Sequence, residues 1–230
     1  MKISKRRKEI NKIIGDQMLF GLKEALLKLK AAPAAKFDES IEFSVRMGVD
    51  PRKSDQMIRG NVTLPFGTGK KITILVIAGG DKLKEATAAG ADFVGGADML
   101  EKIKGGWTDF DALIVTPDMM REVGKLGKIL GPRGLMPSPK AGTVTNDIGN
   151  AIKDVKAGKM EFKLDKSGLI NAAVGKVSFN ENDLEENVLA LLQAIRRAKP
   201  ATAKGVYIQS LYLASTMGAG LRIDLQALSI

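Results

Sequence analysis

Apolar and polar residues alternate strictly over residues 40–49, which read SIEFSVRMGV. In an extended chain, Ile41 and Phe43 lie on one side, and Ser40 and Glu42 lie on the other. This period of two predicts a strand with one buried face and one polar face. The alternation returns over four later segments, which are 160–165, 168–179, 206–215 and 221–228. Both ends of the chain are therefore predicted to contribute half-polar antiparallel strands.

The pattern changes in the middle of the chain, where residues 71–80 (KITILVIAGG) form an almost continuous apolar run. Such a run is typical of a strand that is buried on both faces of a parallel sheet. Further strands are predicted at 91–96 and 111–117. Helices are predicted at 81–90, 97–106, 118–126 with Asp118 as its cap, and 146–158. Strands that alternate with helices predict a compact α/β unit.

Helical periodicity is also present in the outer parts of the chain. Leucines recur near helical spacing over 22–32. Residues 184–198 have the clearest helical pattern, and Asn182 with Glu185 resembles a capping box at its start. The basic segment 2–14 fits a frayed helix, an arm on a phosphate backbone or a solvated basic tail, and these interpretations stay open.

Together these elements predict an α/β protein of two domains. Residues 1–67 and 159–230 are expected to form one split α+β domain, and residues 68–158 are expected to form an α/β domain inserted into it. The chain should cross between them at the Gly-rich segment 67–69 and again near 158–160. Insertion is a tolerated architecture because the termini of a domain often lie close together at its surface.

The composition adds a strong positive charge. The 230 residues contain 36 Lys and Arg against 26 Asp and Glu, which gives a net charge of +10 at pH 7. The two outer segments, 1–67 and 159–230, carry +8 of that charge. An excess of this kind favours a polyanionic partner such as nucleic acid, although solubility alone would also account for it.

The sequence contains no Cys and no His. This excludes disulfides, Cys nucleophiles, His-based triads and the usual zinc sites. No apolar run approaches the ~20 residues that a membrane span needs, so we expect a cytoplasmic protein without a membrane partner.

Glycine-rich motifs in the middle of the chain are weak evidence for a nucleotide site. The segment before Lys70 is not a Walker loop, since Leu64 stands where the first Gly belongs. Gly79 and Gly80 follow a strand and would admit a phosphate at a helix N-terminus, but a tight turn is the commoner use of such a pair.

Acidic residues give no clear catalytic or metal site. Asp109 and Asp111 could hold a metal, but an acidic pair beside Trp107 and Phe110 is more often a turn at the start of a strand. No pair of carboxylates stands out as a general acid and base. We therefore predict no catalytic residue, no metal and no cofactor. A nucleotide-dependent enzyme that uses the α/β domain is the alternative.

Two turns of the split domain are candidates for contact with RNA. Residues 165–168 and 216–220 combine small residues with hydroxyls. Such turns let backbone N–H groups and Ser or Thr oxygens approach phosphates and 2′-hydroxyls, but ordinary turns have the same composition. Phe37 is either a core residue, which is the commoner fate, or an exposed platform for a base.

Residues 131–144 (GPRGLMPSPKAGTV) concentrate Gly and Pro, so they predict neither a helix nor a central strand. Arg133 and Lys140 are the charged residues of the segment. We interpret it as a rigid cationic loop inside the inserted domain.

Seven motifs occur in order over nearly the whole chain, and they read KFDESIEFSVRMGVDPRKSDQMIRG, LPFGTGK, GADFVGG, TPDMM, GKLGKILGPRGLMPSPKAGTV, LDKSG and STMG. Their combination resembles the bacterial ribosomal protein one family of the large ribosomal subunit. The resemblance implies a split domain with an inserted Rossmann-like domain, joined by a flexible double hinge. It also implies a non-enzymatic protein that is a monomer within the ribosome. Its expected partners are large-subunit rRNA in the mobile stalk, deacylated tRNA at the exit site, and the mRNA of its own operon, which many members repress.

The resemblance also implies positions for the RNA surface. Matched motif by motif, the residues expected to bind RNA are Lys36, Phe37, Ser40, Glu42, Asp165, Lys166, Ser167, Gly168, Asn171, Ser210, Thr216, Met217 and Gly218. Those expected to face tRNA are Arg52, Lys53, Arg59 and Arg133. We expect Glu42 to accept a hydrogen bond from a base or a 2′-hydroxyl. The 131–144 loop is expected to face the split domain across the hinge or to meet tRNA.

Four positions depart from the family pattern. Asn171 and Phe66 stand where the family usually has His, and Ala173 and Ala219 stand where it often has Pro. Because Asn can donate and accept hydrogen bonds, RNA binding is expected to survive. The loss of Pro at 219 is expected to loosen the turn and to lower the affinity modestly.

Overall fold

The computed structural model describes residues 3–33, 35–80, 82–139 and 142–228. Three predictions fall in part outside these residues: Lys2 of the basic segment, Asp81 of the first middle helix and Lys140 of the cationic loop. The chain divides into two compact units. Unit 1 comprises Met1–Gly69 and Glu161–Ile230, and unit 2 comprises Lys70–Met160.

Unit 1 is built on a four-stranded sheet to which both ends of the chain contribute. Its strands are β1 (Ser40–Met47), β7 (Leu169–Lys176), β8 (Ile208–Ser215) and β9 (Leu221–Ile223), in the order β7-β1-β8-β9. All three pairings are antiparallel, which confirms the prediction from the alternating pattern. Along β1, Ile41, Phe43 and Val45 are fully buried, as the alternation predicts.

The last strand is shorter than the predicted segment 221–228. After Ile223, the Asp224 carboxylate accepts a hydrogen bond from the Gln226 backbone N–H at 2.9 Å. A side chain that binds the backbone two residues ahead favours a turn over a continued strand. The prediction was wrong beyond Ile223.

The helices of unit 1 are α1 (Lys5–Ile14), α2 (Leu22–Ala31) and α8 (Glu181–Arg197). Helices α2 and α8 pack against each other and contact the sheet, where Leu26, Val188 and Leu191 are buried. A second, two-stranded sheet of β2 (Arg59–Thr63) and β6 (Lys159–Lys163) belongs largely to this unit, and its β2 contacts α8.

Two helix starts differ in how well the sequence predicted them. The basic N-terminal segment forms a helix, and the Ser4 hydroxyl accepts a hydrogen bond from the Arg7 N–H at its start. The capping box predicted from Asn182 was wrong, because α8 begins earlier with Asn180 at its N-cap. Asp183 therefore lies in the first turn, where its charge interacts favourably with the helix dipole.

Unit 2 contains a three-stranded parallel sheet in the order β4-β3-β5. Its strands are β3 (Ile74–Ile77), β4 (Phe93–Gly95) and β5 (Ala112–Val115). Its helices are α3 (Lys82–Ala88), α4 (Ala97–Lys104), α5 (Met120–Gly124), α6 (Gly127–Leu130) and α7 (Ile148–Lys156). Leu75 and Ile77 face one core cluster while Ile74 and Val76 face another, so β3 is buried on both faces as predicted.

The helix predicted at 118–126 was wrong at both ends. Asp118 does not cap it, because the chain first makes a turn in which the Met119 N–H donates to the Thr116 carbonyl. The helix then breaks between Gly124 and Gly127, since glycine lowers the stability of a helix by about 1 kcal/mol relative to Ala.

The glycine- and proline-rich loop is anchored in unit 2. Leu135 and Met136 pack against the core of that unit. Near the end of the loop, the Val115 N–H donates to the Thr143 carbonyl at 2.9 Å. Arg133 is exposed, and its guanidinium donates a hydrogen bond to the Thr108 hydroxyl.

None of the helices in the described part of the chain is both long and apolar enough to span a membrane.

Candidate nucleic-acid interface

The start of β1 and the turn after β8 meet through the backbone of Ser40. The Ser40 N–H donates to the Thr216 hydroxyl at 3.1 Å, and the Thr216 N–H donates to the Ser40 carbonyl at 3.1 Å. The Thr216 hydroxyl also lies 3.3 Å from that carbonyl. The side chain of Thr216 therefore extends the pairing of β1 with β8 and holds the 216–218 turn beside Ser40.

The buried carboxylate of Glu39 stabilises this junction through hydrogen bonds. It accepts hydrogen bonds from the Arg6 guanidinium at 2.7 Å, the Ala35 N–H at 3.1 Å and the Met217 N–H at 3.0 Å. Burial alone would raise the pKa of Glu39. Hydrogen bonds from the Met217 backbone, the Ser215 side chain and Arg6, with the positive charge of Arg6, hold that pKa below its usual value. Glu39 thus joins α1, the segment before β1 and the 216–218 turn while it remains ionised.

The turn itself presents Met217 to solvent and packs closely against Ser215 at Gly218. The Met217 side chain is 54% exposed. A Cβ atom at Gly218 would lie 2.4 Å from the Ser215 hydroxyl oxygen, so a larger residue would require the Ser215 side chain or the turn to shift. Ser40 lies across from the turn, and its own hydroxyl accepts a hydrogen bond from the Lys176 ammonium at 2.9 Å.

Lys36 and Phe37 lie just before β1, and both are exposed. Of the two interpretations left open for Phe37, the structure excludes a core position, since its side chain is 55% exposed. It lies in a bend where the alternation of β1 has not begun. Phe37 lines the mouth of a cavity of about 380 Å³ together with Pro33 and Val177. An exposed ring beside exposed Lys36 fits the alternative interpretation of Phe37 as a platform.

Three further predicted residues lie on the exposed face of the sheet. Glu42 projects from β1, and no ion pair or side-chain hydrogen bond to it occurs in the described part of the chain. Asn171 pairs with Ser44 across β1 and β7, and its carbonyl oxygen accepts a hydrogen bond from the Ser44 hydroxyl at 2.7 Å. Ser210 pairs with Arg46 across β1 and β8.

The turn at 165–168 lies at the other end of β1. Its carbonyl at Gly168 accepts a hydrogen bond from the Met47 N–H at 2.9 Å. Eight residues separate Ser40 from Met47 inclusively, and a strand rises about 3.4 Å per residue, so the two turns are more than about 20 Å apart. The structure therefore places the two predicted turns at opposite ends of β1, with Glu42, Asn171 and Ser210 on the sheet face between them.

Asp165 serves the geometry of its own turn. Its carboxylate accepts hydrogen bonds from the N–H groups of Ser167 and Leu169, both at 2.8 Å. Gly168 completes the turn with a φ of 78°, which favours glycine. Lys166 and Ser167 are exposed, so their side chains are the ones that this turn offers to a partner.

The residues expected to face tRNA differ in the contacts that their side chains make within the protein. Arg52 and Lys53 are exposed in the turn after β1. The Arg59 guanidinium is held by the Glu161 carboxylate at 2.6 Å. Arg133 belongs to unit 2 and donates to Thr108.

Asp111, one of the two acidic residues considered as a metal site, binds other groups of unit 2. The Asp111 carboxylate accepts hydrogen bonds from the Lys70 ammonium at 2.5 Å and from the Thr73 N–H at 3.1 Å. The hydrogen bond from Lys70 lowers the pKa of Asp111, with a further contribution from Thr73. Among the described residues, no three Asp, Glu, His or Cys side chains gather closely enough to hold a metal ion.

The exposed face of the sheet also carries residues that the sequence did not single out as site residues. They are Ser44, Arg46, Tyr212 and Arg222. The alternation of β1 placed Ser44 and Arg46 on the polar face, and the same reasoning applied to β8 would have found Tyr212. Glu39 had no such signal, because its partners Arg6 and Met217 are distant in sequence.

Unit 1 is basic, and its sheet has an exposed polar face. This face is accompanied by exposed aromatic and basic side chains and by a glycine-containing turn. Such a combination is typical of a protein that binds RNA. Comparison with known proteins identifies the family within this class. Residues 27–219 match the ribosomal protein L1p/L10e family.

Relatives of this chain include proteins named large ribosomal subunit protein uL1 from several bacteria. The one from Protochlamydia amoebophila is 62% identical over 97% of this chain and 94% of its own length. Those from Chlamydia caviae and Kosmotoga olearia are 54% and 52% identical, and the alignments cover 99% and 98% of this chain and 98% and 97% of the relatives. The chain belongs to the ribosomal protein L1p/L10e family.

This membership confirms the resemblance drawn from the seven motifs. It also confirms that the chain is a ribosomal protein with a role in translation rather than an enzyme, so the nucleotide-dependent enzyme is set aside.

Proposed function

We propose that this protein is a component of the large ribosomal subunit and that it binds large-subunit rRNA through unit 1. The names of its full-length relatives support the assignment to the large subunit. The charge of the units supports the choice of unit 1, which contains 22 Lys and Arg against 15 Asp and Glu, a net charge of +7. Unit 2 has a net charge of +3.

One observation carries the proposal, namely the junction at which Ser40 pairs with the 216–218 turn. Here the exposed side chains of Phe37, Lys36 and Met217 accompany a close backbone turn. Aromatic rings stack on unpaired bases, lysine neutralises phosphate, and a turn with glycine at position 218 lets RNA approach the backbone. The Glu39 network fixes this arrangement before RNA binds, which reduces the entropy lost on association.

The remaining residues of the proposed rRNA surface lie on the same sheet. Glu42, Asn171 and Ser210 provide hydrogen-bonding groups on its exposed face, and Lys166 and Ser167 extend the surface to the far end of β1. In this proposal, residues 1–67 and 159–230 act as the split rRNA-binding domain, and residues 68–158 act as an inserted Rossmann-like domain of the mobile stalk.

The test is the affinity for a large-subunit rRNA fragment from the stalk region. Met217→Asp should weaken binding at least tenfold, because it places a carboxylate against phosphate. Met57→Asp is the matched control, since Met57 is 52% exposed on the same unit but lies outside the proposed surface. Equal affinity of the two variants would refute the assigned site, and failure of the wild type to bind the fragment would refute rRNA binding itself.

We further propose that the protein aids the release of deacylated tRNA at the exit site, using Arg52, Lys53, Arg59 and Arg133. Exposed Arg and Lys side chains suit contact with a phosphate backbone. Arg133→Ala should slow tRNA release from ribosomes while it leaves the affinity for isolated rRNA unchanged. The control is Arg121→Ala, which removes another exposed arginine of unit 2. A large loss of rRNA affinity in Arg133→Ala would contradict this role.

The same surface would also bind an mRNA site that mimics the rRNA, so that the free protein, as a monomer, represses its own operon. Met217→Asp should then relieve repression of a reporter that carries the operon leader. Full repression by Met217→Asp would contradict a shared surface.

A further inference from the structure

We propose that the exposed sheet face of unit 1 carries a second RNA subsite, in which Tyr212 stacks on an unpaired base and Arg222 contacts the adjoining phosphate. This inference rests on the proposed rRNA function and extends it along β8 and onto β9. It assigns roles to residues that neither the motifs nor the 216–218 turn explain.

Four outward side chains form a row across the four strands. Asn171 pairs with Ser44, Ser44 pairs with Tyr212, and Tyr212 pairs with Arg222. Neighbouring strands lie about 4.8 Å apart, so this cross-strand row is about 14 Å long. The row therefore offers an aromatic ring, a guanidinium, a hydroxyl and an amide along one line.

Tyr212 is exposed, and most of its neighbours on the sheet are small. Its side chain is 39% exposed; Ser44, Ser210 and Ala214 lie next to it on the same face, and Arg222 is its cross-strand partner on β9. Gly220 lies beside the ring, where an added Cβ would be 4.0 Å from Tyr212 Cδ1. Arg222 is the large side chain paired with Tyr212, and no ring–ring or cation–π contact of Tyr212 occurs among the described residues. The exposed part of the ring is therefore available for stacking.

The other tyrosine of the chain shows the contrast. Tyr207 is buried, its hydroxyl donates to the Ile195 carbonyl at 3.0 Å, and burial raises its pKa to about 12. In the described part of the chain, the Tyr212 hydroxyl has no hydrogen-bonding partner. Tyr207 stabilises the fold, whereas no internal contact of that kind occupies the Tyr212 hydroxyl.

The charges of the same face favour RNA as the occupant. Arg222 and Arg46 both project from it, and neither guanidinium has an ion pair or a side-chain hydrogen bond among the described residues. Glu42 is the acidic residue of β1 on this face. Exposed arginines beside an aromatic ring are what stacking platforms for single-stranded RNA use, because the ring holds the base and the cation holds the backbone.

The subsite is continuous with the proposed primary site. Ala214 lies two residues beyond Tyr212 on β8 and pairs with Glu42, and the 216–218 turn follows at the end of that strand. An RNA loop bound at the turn would meet Tyr212 two outward positions before Thr216, a distance of about 14 Å along the strand. We therefore expect one RNA segment to span both.

Variants at Tyr212 test the stacking. Tyr212→Val keeps a residue that favours strands but removes the ring, and it should lower the affinity for the stalk rRNA fragment roughly 5- to 150-fold, which corresponds to about 1–3 kcal/mol for a stacked base. Tyr212→Phe keeps the ring and should bind within about twofold of the wild type. Thermal unfolding of each variant shows whether the fold is intact.

Variants at Arg222 test the phosphate contact through salt dependence. Arg222→Gln should reduce the slope of log K against log salt by about 0.7 to 0.9, the value of one released counterion. Arg121→Gln in unit 2 is the charge-matched control and should leave the slope unchanged.

The outcomes separate this inference from the function on which it rests. If the wild type binds the fragment and folded Tyr212→Val binds equally well, the subsite is refuted while the primary site stands. If the wild type does not bind, both proposals fall. An altered affinity in Tyr212→Val with an identical loss in Tyr212→Phe would also refute stacking, because the ring would then play no part.

Discussion

At the scale of single residues, Glu39 has the most consequences for the site. Its carboxylate reaches Arg6 and Met217, so one side chain connects segments 33 and 178 residues away. No local pattern could predict this role, because sequence periodicity reports which face a residue is on and not which distant group it meets. The alternation of β1, by contrast, placed Ser40 and Glu42 on the polar face without further information.

We predict that Glu39→Gln weakens both stability and rRNA binding. An amide cannot accept charge-assisted hydrogen bonds from both Arg6 and Met217, so a loss of about 1–3 kcal/mol in the free energy of unfolding is expected. Chemical unfolding at pH 7 measures it. Glu42→Gln is the control for stability, since Glu42 has no internal partner among the described residues.

The pH dependence of stability gives a second measurement on the same variant. Because the pKa of Glu39 is lower in the folded protein than its value of 4.5 when unfolded, its contribution is complete above that value. The contribution should disappear as the pH falls through the lower pKa of the folded state. Between pH 5 and pH 3, the wild type should therefore lose more stability than Glu39→Gln. Parallel curves would contradict the role of the ionised carboxylate.

At the scale of secondary structure, periodicity predicted the elements well and their ends poorly. Continuous apolar residues correctly predicted β3, and helical spacing correctly predicted α2, α7 and α8. The ends at Asp118, Asn182 and beyond Ile223 were wrong, because they depend on competing turns such as the Asp224 turn. Periodicity alone could not decide between a buried and an exposed Phe37, because a bend precedes β1.

Helix α8 contains a polar residue that its apolar pattern conceals. Asn187 is fully buried, and its side chain accepts from the Phe66 N–H at 3.2 Å and donates to the carbonyls of Gly67 and Val174 at 3.0 and 2.8 Å. Through these bonds, Asn187 attaches residues 66–67 to strand β7 of the main sheet. The chain leaves unit 1 just after these residues.

We predict that Asn187→Ala costs about 2–4 kcal/mol of unfolding free energy, because backbone groups of the segment lose their partners inside the protein. Asn182→Ala, at an exposed position in the first turn of the same helix, should change stability by less than about 0.5 kcal/mol. Chemical unfolding of both variants provides the comparison. Similar small effects at both positions would show that the Asn187 bonds contribute little.

At the scale of the whole molecule, every residue of the proposed rRNA surface belongs to unit 1, and none belongs to the inserted segment. Unit 1 contains every residue of that surface, from Lys36 to Gly218, and has its own buried core in the β7-β1-β8-β9 sheet with α2 and α8. The uneven charge between outer and middle segments was readable from the sequence. The pairing that joins Ser40 to Thr216 was not, because it depends on the register of strands from opposite ends of the chain.

This separation leads to a prediction about unit 1 alone. Replacement of residues 70–158 by a Gly-Ser linker of about eight residues keeps β6 whole, since that strand begins at Lys159. A roughly tenfold shorter loop also costs about 2 kcal/mol less entropy to close, which favours folding of the shortened chain. The shortened protein should unfold cooperatively and bind the stalk rRNA fragment within about threefold of the full chain. It should lose any effect on tRNA release that depends on Arg133. A folded product whose rRNA affinity falls more than tenfold would show that unit 2 contributes directly to binding, and the assignment of the rRNA surface to unit 1 would have to be abandoned.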